Sequence, residues 1–208
     1  MNRLEQIAEQ IRLDLASRDA TREKVLPLCR ETIRHASNAI RAIHRHEFEL
    51  AAELLQAARK LVGVIEQAAC EYAELHYSGF VRDAQKEFAE GSITLALVTG
   101  KEIPDPAELG VDVSAYLNGL GEAVGELRRY LLDSIRGGDP SKCEELLSIM
   151  DDVYGVLVTM DFPDALTGGL RRTTDVVRGV LEKTRSDLTL IMSQQELENK
   201  LRHFTQNG

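Results

Sequence analysis

Apolar residues along this 208-residue chain recur every three or four positions and seldom alternate, in long stretches of Ala, Leu, Glu, Gln, Arg and Lys with few prolines and glycines. That period belongs to amphipathic helices. It predicts an all-α fold, a single-domain bundle of about seven helices over residues 1–208. A first helix runs from about Asn2 to Ser17, with Leu4, Ile7, Ile11 and Leu15 on one stripe. A second, from about Ala20 to His46, turns Val25, Cys29, Ile33, Ala36, Ile40 and Ile43 inward, and Pro27 either kinks it or marks its start. A third covers about Phe48 to Leu75 and a fourth about Ser78 to Val98, stopped by Gly100. The connector Lys101–Gly110 holds one short turn, with Asp105 as N-cap, Pro106 in the first helical position and Gly110 as the stop. The fifth helix spans about Val113 to Ile135 and ends at Gly137-Gly138. Asp139-Pro140 repeats the cap-then-proline signal and opens a sixth that reaches about Met160. After breaks at Phe162-Pro163 and Gly168-Gly169, a last helix runs from about Leu170 to Met192, with a short amphipathic tail to Phe204.

Composition narrows the functional classes. Charged residues of both signs are interspersed at 28%, and 43% of positions are hydrophobic, which suits a folded core rather than a disordered tail. No apolar run approaches the roughly 18 residues that a membrane span needs, and Glu5 falls where a signal peptide would be apolar, so a cytoplasmic, membrane-free protein is expected. Cys29, Cys70 and Cys143 are odd in number, far apart and without a CxxC or Cys/His cluster; buried, reduced thiols are expected, not a disulfide framework or a zinc site. The net charge of -9 argues at first against a phosphate-bearing partner, because Lys and Arg supply most of the affinity for such backbones.

Charge distribution changes that picture. Arg30, Arg34, Arg41 and Arg45 fall within roughly 60° of one another on a helix, a cationic stripe beside the apolar face with His44 near its edge. Such a stripe binds phosphates on a net-acidic protein, or pairs with acids on another helix or subunit; the sequence leaves both open. Acid pairs at helical spacing carry little weight singly, since 34 acids among 208 positions give roughly five pairs at each spacing by chance. Two pairs stand apart. Glu87 and Glu90 share a helical sector with Phe80, Leu97 and Val98, and Glu122 and Glu126 lie beside Gly121 and Gly125, where a second helix can approach closely. If those helices cross there, four carboxylates converge, and protonation, arginine partners or a divalent cation must relieve their repulsion. Hard oxygen ligands select Mg²⁺ or Mn²⁺. The alternative is ordinary surface pairing with Lys86, Arg128 and Arg129.

The sequence also resembles a known family. Leu28-Cys29-Arg30-Glu31-Thr32-Ile33, followed by Ser37, Ile40 and Ile43-His44-Arg45, is similar to the second helix of the translin superfamily. Gln85-Lys86-Glu87-Phe88-Ala89-Glu90 resembles the matching segment of translin-associated factor X, the nuclease-competent branch. Tyr116-Leu117-Asn118-Gly119, Glu122-Ala123-Val124-Gly125-Glu126-Leu127-Arg128-Arg129 and Ser134-Ile135-Arg136-Gly137-Gly138-Asp139 resemble the family's central signature. The resemblance implies that Glu87, Glu90, Glu122 and Glu126 are both metal ligands and catalytic residues, with Glu122 keeping the charge of the Asp usual in that branch on an arm one methylene longer. It implies an endoribonuclease dependent on Mg²⁺, with Mn²⁺ as substitute. The substrate would be single-stranded RNA, with single-stranded DNA a further ligand, cleaved inside a hollow homo-oligomer of about eight subunits. Arg30, Arg34, Arg41 and Arg45 would then contact the nucleic-acid backbone. The rival expectation is a single-stranded nucleic-acid-binding oligomer without turnover.

Overall fold

In the computed structural model, which describes residues 2–206, all regular elements are helices and no strand occurs among the described residues. They are α1 (Arg3–His44), α2 (Phe48–Ala69), the single turn α3 (Ala73–His76), α4 (Gly79–Thr99), the single turn α5 (Pro106–Leu109), α6 (Val113–Arg136), α7 (Cys143–Val158), the single turn α8 (Asp164–Thr167) and α9 (Leu170–Gln206). None of the described helices is long and apolar enough to cross a membrane.

The all-α expectation holds, and four boundaries differ from the sequence pattern. The first two expected helices are one helix of 42 residues, because nothing between Ser17 and Ala20 breaks it. Thr21 donates to the Ser17 carbonyl at 3.1 Å, Arg18 pairs with Asp14 at 2.8 Å, and Pro27 is carried inside the helix. Its start is fixed by a capping box in which Asn2 accepts from the Leu4 amide and donates its own amide to Glu5. The third expected helix stops at Ala69, because Tyr72 turns to extended backbone before α3. There its hydroxyl meets the Ser17 hydroxyl at 2.8 Å. Asp139-Pro140 does not open a helix: the Asp139 carboxylate accepts from the Ser141 amide in a turn, and α7 begins at Cys143. The last helix passes Met192 without a break; the side chain of Phe204 lies outside the described residues.

The contacts divide the chain into two compact units, Met1–Leu120 and Gly121–Gly208, with the division falling inside α6. In the first unit, α1, α2 and α4 share a core. Val25 and Cys29 of α1 pack with Ile65 of α2 and with Val81 and Ala84 of α4. Eleven residues further along α1, the Ala36 carbonyl and Ile40 lie against Gly91 of α4, together with Leu55 of α2. Contacts therefore climb α1 and α4 together and descend α2, so α1 and α4 run parallel with α2 antiparallel to both. His46, at φ 60°, makes the tight reversal between α1 and α2. Burial pushes the Cys29 thiol up to about 11, which keeps it protonated and inert. Cys143 is buried as expected, but Cys70 is exposed at the end of α2. In the second unit the buried face of α7 (Leu146, Met150, Val153, Leu157) packs on α9, whose Leu170, Val177, Leu181 and Leu188 are buried.

Candidate metal centre and nucleic-acid interface

The start of α6 is anchored to α4 by polar groups. Asp112 caps α6, its carboxylate accepting from the Ser114 amide at 2.8 Å and the Ser114 hydroxyl at 2.6 Å. The Asp112 amide donates in turn to the side-chain oxygen of buried Gln85 on α4, at 3.2 Å. Asn118 then donates to the Ser114 carbonyl at 2.8 Å.

One residue later the helices meet closely. A Cβ at Gly119 would lie 2.7 Å from the Lys86 carbonyl oxygen, 3.0 Å from the Ala89 Cβ and 3.0 Å from the Glu90 amide nitrogen. Only glycine fits there. The sequence placed the close crossing at Gly121 and Gly125; the structure moves it to Gly119. A Cβ at Gly121 would meet Thr173 of α9 instead, and one at Gly125 would meet nothing within 4 Å.

Glu122 follows Gly119 by three residues on the same uninterrupted helix, so it shares the face of α6 that approaches α4. One carboxylate oxygen from each of Glu87, Glu90 and Glu122 lies within 4.8 Å of the others. Glu90 is buried at 8% exposure, while Glu87 and Glu122 are half-buried. Three of the four predicted acids are thus together. Glu126, half-buried one turn further along α6, is not among the three. Of the basic neighbours, Lys86 lies 3.8 Å from Glu87. Arg128 is engaged elsewhere, with Asp187 at 2.7 Å and Thr184 at 3.0 Å on α9. An all-oxygen donor set this compact and partly desolvated can hold a hard divalent cation, whose charge offsets the repulsion among the carboxylates.

The four stripe arginines are exposed, Arg30, Arg34 and Arg41 along α1 and Arg45 at its C-cap. Their contacts are short-range: Arg34 with Glu31 at 3.2 Å, Arg41 with Asn38 at 3.3 Å, Arg45 with Glu47 at 2.8 Å. Exposed pairs of this kind are weak and exchange readily for a phosphate. Arg41 directly follows Ile40, which packs on Gly91, the neighbour of Glu90 in the chain. Two features of the site escaped the sequence pattern: Gln85, which ties α6 to α4, and Gly119, which sets their distance.

No protein-family profile matches the chain. An uncharacterized protein of Methanocaldococcus jannaschii, MJ0175, is 29% identical over 191 residues, covering 90% of this chain and 84% of that protein. Among solved structures, AfC3PO, determined alone and in complex with duplex RNA, is 34% identical with a TM-score of 0.82, over 90% of this chain and 97% of its own. The apo form of NeC3PO shares the fold at a TM-score of 0.76 and 17% identity, over 89% of this chain and 95% of that one. With identity of 34% spread over almost the full length of AfC3PO, a C3PO (component 3 promoter of RISC) of the translin family, the chain belongs to the translin superfamily.

Proposed function

We propose that this protein is a Mg²⁺-dependent endoribonuclease that cleaves RNA within a homo-oligomeric shell. The observation that carries the reading is the convergence of Glu87, Glu90 and Glu122 within 4.8 Å, on a surface where Glu90 is largely desolvated. Glu87, Glu90 and Glu122 would hold the cation, with Glu126 the next carboxylate along α6; Mn²⁺ suits the same oxygens. When bound, the cation supplies Lewis acidity toward a phosphoryl oxygen and a water made more acidic for hydrolysis. Arg30, Arg34, Arg41 and Arg45 bind and orient the phosphate backbone, making no base-specific contact and giving little sequence preference. The resemblance points to single-stranded RNA, and AfC3PO was captured with duplex RNA, so both forms are the ligands to compare.

The test is incubation of the protein with end-labelled single-stranded and duplex RNA, with Mg²⁺ and with EDTA. Cleavage is expected with Mg²⁺ and lost with EDTA; cleavage that survives EDTA overturns the metal reading. Retention of RNA without cleavage under any divalent ion instead supports the non-catalytic oligomer. In the same assay Arg41→Glu should weaken binding by about tenfold or more at low salt, less at high salt, because it removes one cation from the stripe and adds an opposing charge. Unchanged low-salt affinity would take the stripe out of the interface.

The homo-oligomer is supported by the first half of α1. Leu4, Ile7, Ile11 and Leu15 lie on one face of the helix and are all exposed, although an apolar helical stripe ordinarily packs on other residues. An apolar stripe of that length favours a partner surface. Light scattering should give a mass several times 23.1 kDa. A monomeric mass at micromolar concentration would sink the shell.

A further inference from the structure

Six threonines inside the described helices share one habit. Thr21, Thr32, Thr99, Thr174, Thr184 and Thr189 each donate the hydroxyl to the carbonyl four residues back, at 2.7–3.1 Å. Thr94 departs from it. Its side chain has 0% exposure, its hydroxyl has no partner among the described residues, and the carbonyl that the habit would use belongs to Glu90.

Its place on α4 gives the departure a meaning. Thr94 is seven residues from Glu87 and four from Glu90, so in helical projection it stands roughly 20° from the first and roughly 40° from the second, between them. Helical side chains lean toward the N-terminus, which carries the hydroxyl back toward the turn that bears Glu90. At this level Gly91, on the neighbouring face of α4, lies against Leu55 of α2 and against Ala36 and Ile40 of α1. A buried hydroxyl left unpaired is costly, and such groups in folded proteins commonly await water, an ion or a ligand.

We propose that Thr94 is a positioning residue for the carboxylate cluster: its hydroxyl hydrogen-bonds an oxygen of the ligand shell once a divalent cation and its waters occupy Glu87 and Glu90. The inference rests on the cation reading above and adds to it a residue that contacts neither the reacting phosphate nor the ion. Outer partners of this kind fix ligand orientation, and their loss typically weakens metal binding by ten- to a hundredfold.

The experiment measures Mn²⁺ affinity by paramagnetic resonance on the full-length protein without RNA, together with the melting temperature of the metal-free form. Wild type should bind Mn²⁺. Thr94→Val, close in shape but without the hydroxyl, should bind at least about tenfold more weakly while melting no lower than wild type, since no native hydrogen bond is lost. Thr94→Ser should restore the affinity. Wild-type affinity in Thr94→Val overturns the role of Thr94 and leaves the cation reading standing. Equal loss in the Val and Ser variants, with lowered melting in both, assigns Thr94 to packing and overturns the proposal. No Mn²⁺ binding by wild type overturns the cation reading and the proposal together.

Discussion

Glu90→Gln is expected to reduce Mg²⁺-dependent RNA cleavage by about a hundredfold or more while leaving the fold intact. Glutamine keeps the length and shape of glutamate, so the packing around this position at 8% exposure changes little. What changes is charge: a neutral amide is a poor ligand for a hard cation, and the remaining carboxylates of Glu87 and Glu122 form a weaker set. Stability separates this effect from misfolding. A cation present at a hundred times its dissociation constant stabilises the folded state by about 2.7 kcal/mol. At roughly 2–4 °C per kcal/mol for a chain of this size, Mg²⁺ should raise the wild-type melting temperature by about 5–10 °C. Glu90→Gln should lose most of that rise. Without metal it should melt at or above the wild-type temperature, because removing one of three close negative charges relieves their repulsion. Calorimetry with and without Mg²⁺ reads both numbers. A variant that keeps the Mg²⁺-dependent rise, or keeps EDTA-sensitive cleavage, would place the ion elsewhere.

Much of this architecture is legible in the sequence because it is local. Asp105, Pro106, Glu108 and Gly110 spell out α5 with its capping box, and the bounds of α4 and α6 follow from their apolar period and glycine stops. The misreadings are also local. Asp139-Pro140 carries the chemistry of a helix start and spends it on a turn, while α1 passes through Ser17–Ala20 because weak formers in a long helix cost less than breaking it. The site is harder to read. Glu87 and Glu90 are visible as a pair on one face, but the arrival of Glu122 depends on which face of α6 meets α4. That choice is made by Gly119 and by the Gln85 hold on Asp112, interactions between residues 27 or more positions apart. Periodicity cannot decide among three glycines on one helix, since Gly119, Gly121 and Gly125 all permit close approach. Thr94 is invisible for a different reason. A helical threonine ordinarily bonds its own backbone, and only the unpaired hydroxyl marks this one as different.

Gly119→Ala is expected to destabilise the protein and disable the site, and Gly125→Ala, on the same helix, is expected to do the reverse. Replacing glycine by alanine inside a helix contributes about 1 kcal/mol of stability when the methyl group has room. At Gly125 it has room, with nothing within 4 Å, so a rise of roughly 2–4 °C in melting temperature is expected. At Gly119 the methyl would stand 2.7 Å from the Lys86 carbonyl oxygen and 3.0 Å from the Glu90 amide nitrogen. Both are backbone atoms of α4, which no side-chain rotation can move aside. Overpacking of this kind typically costs about 1–3 kcal/mol, and more where backbone must shift, which outweighs the propensity gain. A net loss of about 1–2 kcal/mol corresponds to a drop of roughly 2–8 °C. The functional effect should be larger than the stability effect. Relief of the clash requires α4 and α6 to separate by several tenths of an ångström at the level of Glu90, one turn before Glu122. Misplacement approaching 1 Å costs up to about a hundredfold in rate. Mg²⁺-dependent cleavage by Gly119→Ala should therefore fall by at least about tenfold at a temperature where it remains folded, with Gly125→Ala unaffected. If the two variants melt and cleave alike, the α4–α6 crossing is not what holds the carboxylates together.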